Sequence, residues 1–355
     1  MKTERVWAVC PKFFKTAKFL TVIMLSMALA LVSCDKDDDE DGTDMKFLEG
    51  SPVMELPMYA MCGETFEVTA SGVRTPGVHY TWTYLGLDSL SSNGGDNSTV
   101  RFRVPDSLAT YSITVRAHGP SDEYYSSIYT GNVISVGEES LTGIPAAEKT
   151  FTDPRDGKEY GIVEIGNLEW FAQNLNWEGA GEGYGKTEAG AYVFGRLYTW
   201  NDATGGKAAE GSGLGEGVQG VCPDGWSIPT AQDWIDLAMA ANGGVYVPFQ
   251  DDWKGLAGKF MVNAKFNGSW VWPYTPDVTP TNDFGWNALA GGSSHNNYTL
   301  YKNVLSYGFW WSSSEKDSNN AYYKYIFSEF PNFPTGFAAK DGMGASVRCV
   351  RLKNN

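Results

Sequence analysis

The chain has 355 residues, of which 42% are hydrophobic, 14% aromatic and 19% charged. That length exceeds one ordinary domain, and the composition excludes a polytopic membrane protein and a largely disordered chain. Net charge is −15, and residues 1–33 hold five of the bases against one acid, so the rest is strongly acidic and nucleic acid is excluded as the principal ligand.

Residues 1–33 read as an address. A basic stretch with Lys2, Arg5, Lys12, Lys15 and Lys18 leads into Phe19 to Val32, 14 residues without a charge, short of the roughly 20 that span a bilayer. The segment ends Leu31-Val32-Ser33-Cys34, which resembles the bacterial lipoprotein box. The resemblance implies diacylglycerol on the Cys34 sulfur, with Cys34 becoming the first residue of the mature protein. Two or three acyl chains, at about 0.8 kcal/mol per buried CH₂, hold far better than one myristoyl group. A membrane, reached through this lipid anchor, is therefore an expected partner.

Residues 34–48 read as an acidic tether. Asp35 to Asp44 carries seven acids and one base, a run that repels itself and stays solvated. Cys-x-Lys followed by acids is similar to the surface-export signal of lipoproteins in the Bacteroides group, which implies the outer membrane and a body facing the cell exterior. In an enterobacterial host, Asp35 beside the lipidated cysteine directs inner-membrane retention instead. Asp37, Asp39, Asp41 and Gly42 imitate the start of an EF-hand, but the twelfth position falls on Leu48 and not on glutamate.

Residues 49–138 alternate apolar and polar side chains in short runs: Thr65 to Ala70, Val78 to Tyr84, Thr99 to Val104 and Tyr111 to Ala117. Period two in several runs separated by Gly, Pro, Asn and Asp predicts an antiparallel β-sandwich with Trp82 facing its core. Tyr111 in Ala109-Thr110-Tyr111-Ser112-Ile113 resembles the tyrosine corner of immunoglobulin-like and PKD-like modules. Ile113 stands where the second cysteine of their intersheet disulfide falls. Such a module implies a spacer.

Residues 139–149 turn polar and small, as a linker does, and the composition then shifts: 11 of the 13 tryptophans lie in residues 150–355. Aromatic-pinned loops between few regular elements fit that composition. Tyr160 to Ile165 and Glu169 to Asn174 flank Gly166-Asn167 as a hairpin. Thr230 reads as the N-cap of a helix, with Asp233 in its first turn, Trp234, Leu237, Ala238 and Ala241 on one face, and Asn242-Gly243 as the stop.

Seven blocks in this half carry a resemblance. They are Asp153 to Lys158, Ile165 to Leu175 with Trp170, Gly195 to Trp200, Cys222 to Trp226 with Thr230 and Trp234, Ala257 to Lys259, Trp310 to Glu315, and Val347 to Val350. Their order is similar to that of the Fibrobacter succinogenes major paralogous domain, over residues 150–355. That family looks related to C-type-lectin-like folds, shared with the formylglycine-generating enzyme. The expected fold class is thus multi-domain: an all-β immunoglobulin/PKD-like sandwich followed by an α+β C-type-lectin-like domain.

The resemblance also bears on the cysteines. Cys222 opens one block and Cys349 closes another, so in an oxidising compartment the two are expected to pair; buried free thiols are the alternative. Cys62 has no evident partner and reads as a small core residue.

Catalytic and cofactor chemistry is thin. Ala180 to Thr187 imitates a phosphate loop, but no buried strand precedes it. Trp200-Asn201-Asp202 imitates half of a lectin calcium site without the second half. Ser293 and His295 share a Gly-rich stretch that reads as a turn and not as a nucleophile with its base. No cofactor, no metal and no catalytic residue is expected, although acids such as Asp251, Asp252, Asp283 and Glu315 leave a glycosidase pair open. The favoured expectation is a non-enzymatic adhesion or binding protein for an extracellular glycan or protein, with Trp270, Trp272 and Tyr274 as exposed ligand-binding residues. The alternatives are an extracytoplasmic carbohydrate-active enzyme and a surface filament subunit.

Overall fold

Period-two alternation folds the first half. The computed structural model describes residues 44–93, 95–209 and 213–353, so Cys34 and the signal segment lie outside the described residues. Seven strands come first: β1 (Tyr59–Met61), β2 (Thr65–Thr69), β3 (His79–Tyr84), β4 (Asp88–Asn93), β5 (Thr99–Arg103), β6 (Thr110–His118) and β7 (Ser127–Val136). They form two sheets, β1-β7-β6-β3 and β2-β5-β4. Val68, Val100 and Phe102 from one sheet and Tyr80, Ile113, Val115 and Val133 from the other make the buried core, because successive strand residues point to opposite faces. The Tyr111 hydroxyl donates to the Ser107 carbonyl at 3.0 Å, fixing the entry to β6. Trp82 is half-buried against Phe102, with its indole N–H on the Asn97 carbonyl at 2.9 Å. Cys62 is a free thiol and is half-buried, not the enclosed core residue expected of it, because it follows the end of β1 where the chain turns out of the sheet.

The second half begins inside the stretch that looked like a linker. β8 (Leu141–Thr142) and β9 (Lys149–Thr152) are followed by the hairpin β10 (Glu159–Ile165) and β11 (Leu168–Phe171), whose turn is Gly166-Asn167. Then come β12 (Glu182–Gly183), α1 (Glu188–Phe194), β13 (Arg196–Thr199), α2 (Trp200–Thr204), α3 (Ala231–Ala241) and α4 (Ala257–Phe260). The remaining strands are β14 (Lys265–Phe266), β15 (Ser269–Trp270), β16 (Gly291–His295), β17 (Leu300–Val304), β18 (Tyr307–Glu315), β19 (Asn320–Phe327), β20 (Thr335–Ala339), β21 (Met343–Ala345) and β22 (Val350–Leu352). The largest sheet runs β12-β13-β21-β16-β18-β19-β20, with β17 paired to β16. The architecture is therefore β-rich, with several sheets and short helices.

The two halves share packing. β8 pairs with β14, placing Leu141 opposite Phe266, and β9 pairs with β10. Tyr59 and Val136 from the sandwich belong to the same buried cluster as Phe194, Phe266 and Trp286. The Tyr59 ring meets Tyr184 and Phe266 edge-on at 6.3 and 5.7 Å. Residues 45–355 accordingly form one compact unit.

Three devices hold the irregular half. At α3, the Thr230 hydroxyl accepts from the Asp233 N–H while the Asp233 carboxylate accepts from the Thr230 N–H, a reciprocal cap that satisfies two orphan donors. Cys222 and Cys349, both fully buried, are bonded across 127 positions. Arg348 is buried without a carboxylate among its partners: it donates to Asn174 Oδ1 at 2.8 Å and to the carbonyls of Phe171, Trp286 and Asn287, and it lies 4.1 Å from the centre of the Trp286 ring. Asn174 Oδ1 also accepts from the Trp310 indole at 2.8 Å. Residues from three of the sequence blocks thus meet in one interior polar knot.

Candidate functional site

The expected ligand loop divides. β15 is only two residues long, and the chain turns at Val271 to Pro273, so strict alternation fails there. Trp270 is 46% exposed and Tyr274 61% exposed, with Lys265 Nζ held 4.8 Å from the Trp270 ring centre. Trp272, expected at the surface with them, is buried at 4% exposure, and its indole donates to the Ala288 carbonyl at 3.0 Å. Burying a ring whose N–H finds a partner is the cheaper arrangement, so Trp272 is a core residue and only the other two present rings to solvent.

The imitations of chemical motifs also resolve. Ser293 to His295 is not a turn but part of β16, in the middle of the sheet. Ser293 Oγ lies 3.1 Å from His295 Nε2, and among the described residues no side chain orients the other ring nitrogen. Asn201 is bonded to Asp341, and the Asp202 carboxylate accepts from Tyr298 at 2.5 Å. Tyr184, in the loop that imitates a phosphate site, is a core side chain. Among the described residues no group of three or more His, Cys, Asp or Glu side chains is placed to hold a metal ion. Nor is any helix there long and apolar enough to cross a membrane.

A different surface concentrates aromatic side chains. In the β18–β19 ladder Tyr307 stands opposite Phe327, Phe309 opposite Tyr325, and Trp311 opposite Tyr323; directly opposed residues share a sheet face. Their neighbours in sequence, Trp310, Lys324 and Ile326, are fully buried on the other face. Trp311 and Phe309 close the core from within, while Tyr307, Tyr323, Tyr325 and Phe327 are half-buried. Tyr307 and Phe309 are parallel to within 3° at a centroid separation of 5.4 Å, and Tyr307 and Phe327 to within 11° at 4.3 Å. Phe330, 57% exposed, tilts against Phe327 at 5.2 Å.

β20 is the last strand of this sheet and closes the side of the surface. A Cβ at Gly336 would stand 2.5 Å from the Tyr323 ring, so the ring lies on bare backbone that only glycine leaves open. The result is a groove of about 470 Å³ lined by these rings with Thr335, Gly336 and Phe337. Burial pushes the phenols of Tyr307, Tyr323 and Tyr325 above their ordinary range, with Glu329, Tyr325 and Asp252 respectively adding to it. All three stay protonated hydroxyls in any physiological medium. The sequence signal was present as Tyr307-Gly308-Phe309 and Tyr323-Lys324-Tyr325-Ile326-Phe327, aromatic at every second position, but alternation alone does not say which face lacks a covering layer.

These features define a β-rich, disulfide-tied domain built on buried tryptophans and the interior Arg348. The model of the Fibrobacter succinogenes major domain matches residues 163–351, more than half of the chain, and the chain belongs to that family. No curated protein matches it. Among solved structures, a nucleoside hydrolase-related hypothetical protein from Saccharophagus degradans, associated with carbohydrate metabolism, is 19% identical over 24% of this chain and 25% of that one, with a TM-score of 0.19. The chain thus spans about a quarter of that relative's length. The adhesin InvE of Yersinia pseudotuberculosis is 10% identical over 85% of this chain and 70% of that one, with a TM-score of 0.24.

Proposed function

We propose that the protein is a lipid-anchored, non-enzymatic binding protein of the outer cell surface. In this reading Cys34 carries the acyl chains, an immunoglobulin/PKD-like sandwich serves as the spacer, and a C-type-lectin-like domain meets a glycan or protein ligand. The observation that carries it is the aromatic face of β18 and β19, where Tyr307, Tyr323, Tyr325 and Phe327 are left half-buried and Phe330 exposed. Rings left half in water at the rim of a tightly packed core cost solvation that a ligand recovers. The packing of Tyr59 and Val136 into the distal core fits the same reading, since a spacer fused to its cargo holds the binding face at a fixed orientation.

Anchoring is tested by replacing Cys34 with Ala. The expected outcome is a shift of the protein from the membrane to the soluble fraction, together with loss of the acyl mass from the mature N-terminus. A variant that stays on the membrane contradicts the anchor.

A further inference from the structure

We infer that the groove on β18, β19 and β20 takes a segment of an uncharged polysaccharide, so that the ligand of the proposed function is a neutral glycan. This inference rests on the reading of that face as the binding surface.

Ring geometry is the first support. Aromatic rings in contact are about 3.5 Å apart face to face, so parallel rings with centroids 5.4 and 4.3 Å apart are offset, like shingles. Tyr307 and Phe327 are half-buried, so part of each of these two rings stays open to solvent. The C–H face of a pyranose is weakly positive and apolar, and it complements the negative face of an aromatic ring. Phe330, tilted 53° to Phe327, stands as an end wall against which one sugar unit can rest.

The second support is the polar inventory. Among the described residues no protein group hydrogen-bonds to the hydroxyls of Tyr307, Tyr323 or Tyr325, although the groove is lined by all three. A phenol both donates and accepts, which matches sugar hydroxyls that do the same. The third support is charge. Among the described residues no Asp, Glu, Lys or Arg lines the groove. Lys316 is outside that lining, its ammonium against the Phe337 ring. A uronate or sulfate brought between the tyrosines therefore loses hydration without a charged partner among the lining residues. The chain's net charge of −15 also repels a polyanion on approach.

The test uses the full chain in detergent, with immobilised mannan, xylan and laminarin as neutral probes and polygalacturonate and heparin as charged ones. Phe330→Ala removes an exposed ring, and Tyr325→Phe removes one hydroxyl while keeping its ring. The thermal transition of each variant is recorded to show that it is folded. At least one neutral polysaccharide should bind, with affinity falling about tenfold in Phe330→Ala and about fivefold in Tyr325→Phe, and the charged probes should not bind. Equal or tighter binding of a charged probe, weakened by Phe330→Ala, overturns the neutral class and leaves the face as the binding surface. Neutral binding that neither substitution changes overturns the face itself. Absence of binding to all five probes overturns the inference.

Discussion

In the sandwich, Ile113, Val115 and Val133 fill the core from alternate strand positions with side chains that need no polar partner. The C-terminal half instead buries Trp200, Trp310 and Trp311, whose indoles donate to the Ser312 carbonyl, Asn174 Oδ1 and the Tyr198 carbonyl at 2.9, 2.8 and 2.7 Å. The contrast explains why one half needs neither a disulfide nor a buried charge and the other has both. Regular ladders satisfy their own backbone groups, whereas long loops must be tied down by side chains that reach across the fold. Each such tie has an exact partner, so the irregular half should be the more fragile to single substitutions.

The largest effect should come from Arg348→Ala. It leaves Asn174 Oδ1 and three buried carbonyls without this donor and opens a cavity beside Trp286, which should cost on the order of 5 kcal/mol. Chemical denaturation should then show the C-terminal half unfolding first. If Arg348→Ala costs no more than Ile113→Ala, the contrast between the halves fails.

Removing the bridge with Cys222→Ala and Cys349→Ala together should cost about 4–5 kcal/mol in the loop-entropy model, because the bond closes 127 positions. Reduction of the wild-type protein should have the same effect. A change below about 1 kcal/mol means that the interior knot alone fixes the last strand.

A smaller effect, of opposite sign, is expected at Lys324. Burial holds its ammonium well below the ordinary value of 10.5, its Nζ lies 3.2 Å from the centre of the Trp253 ring, and it donates to Thr335 Oγ1 at 2.9 Å. The folded state resists the proton that the unfolded lysine accepts below 10.5, so this residue's stability contribution is complete above that pH and is lost as pH falls. Lys324→Met should therefore stabilise the protein at pH 7 by on the order of 1 kcal/mol. The gain should shrink as pH rises toward 10.5. A gain that is constant with pH, or a loss at pH 7, assigns the lysine a role in packing or hydrogen bonding instead.

Much of this was legible locally. Thr230 and Asp233 announce their helix because a cap is a contact between residues three apart, and the Gly166-Asn167 hairpin needs only a two-residue turn. The strands β2, β3, β5 and β6 follow from alternation. The pairing of Cys222 with Cys349 follows from the family resemblance, since spacing alone does not select partners. What was not legible depends on distant partners. Arg348 and Asn174 are 174 positions apart, and Leu141 pairs with Phe266 in a stretch whose small polar composition looks like a linker. Trp270 and Trp272 share a parity that promises one face, yet the strand ends between them and only one is left outside. The aromatic face of β18 and β19 has a clear period, but that Phe309 and Trp311 are buried while Tyr307, Tyr325 and Phe327 are half-buried depends on what distant segments pack against it.

The claim that this face is the working surface is tested most directly by hydrogen–deuterium exchange on the full chain, with and without a polysaccharide or protein found to bind it. The account predicts that added protection concentrates in residues 307–327 and 335–339, with no change in the sandwich strands. Protection confined to the Trp270–Tyr274 loop, or to the sandwich, contradicts it.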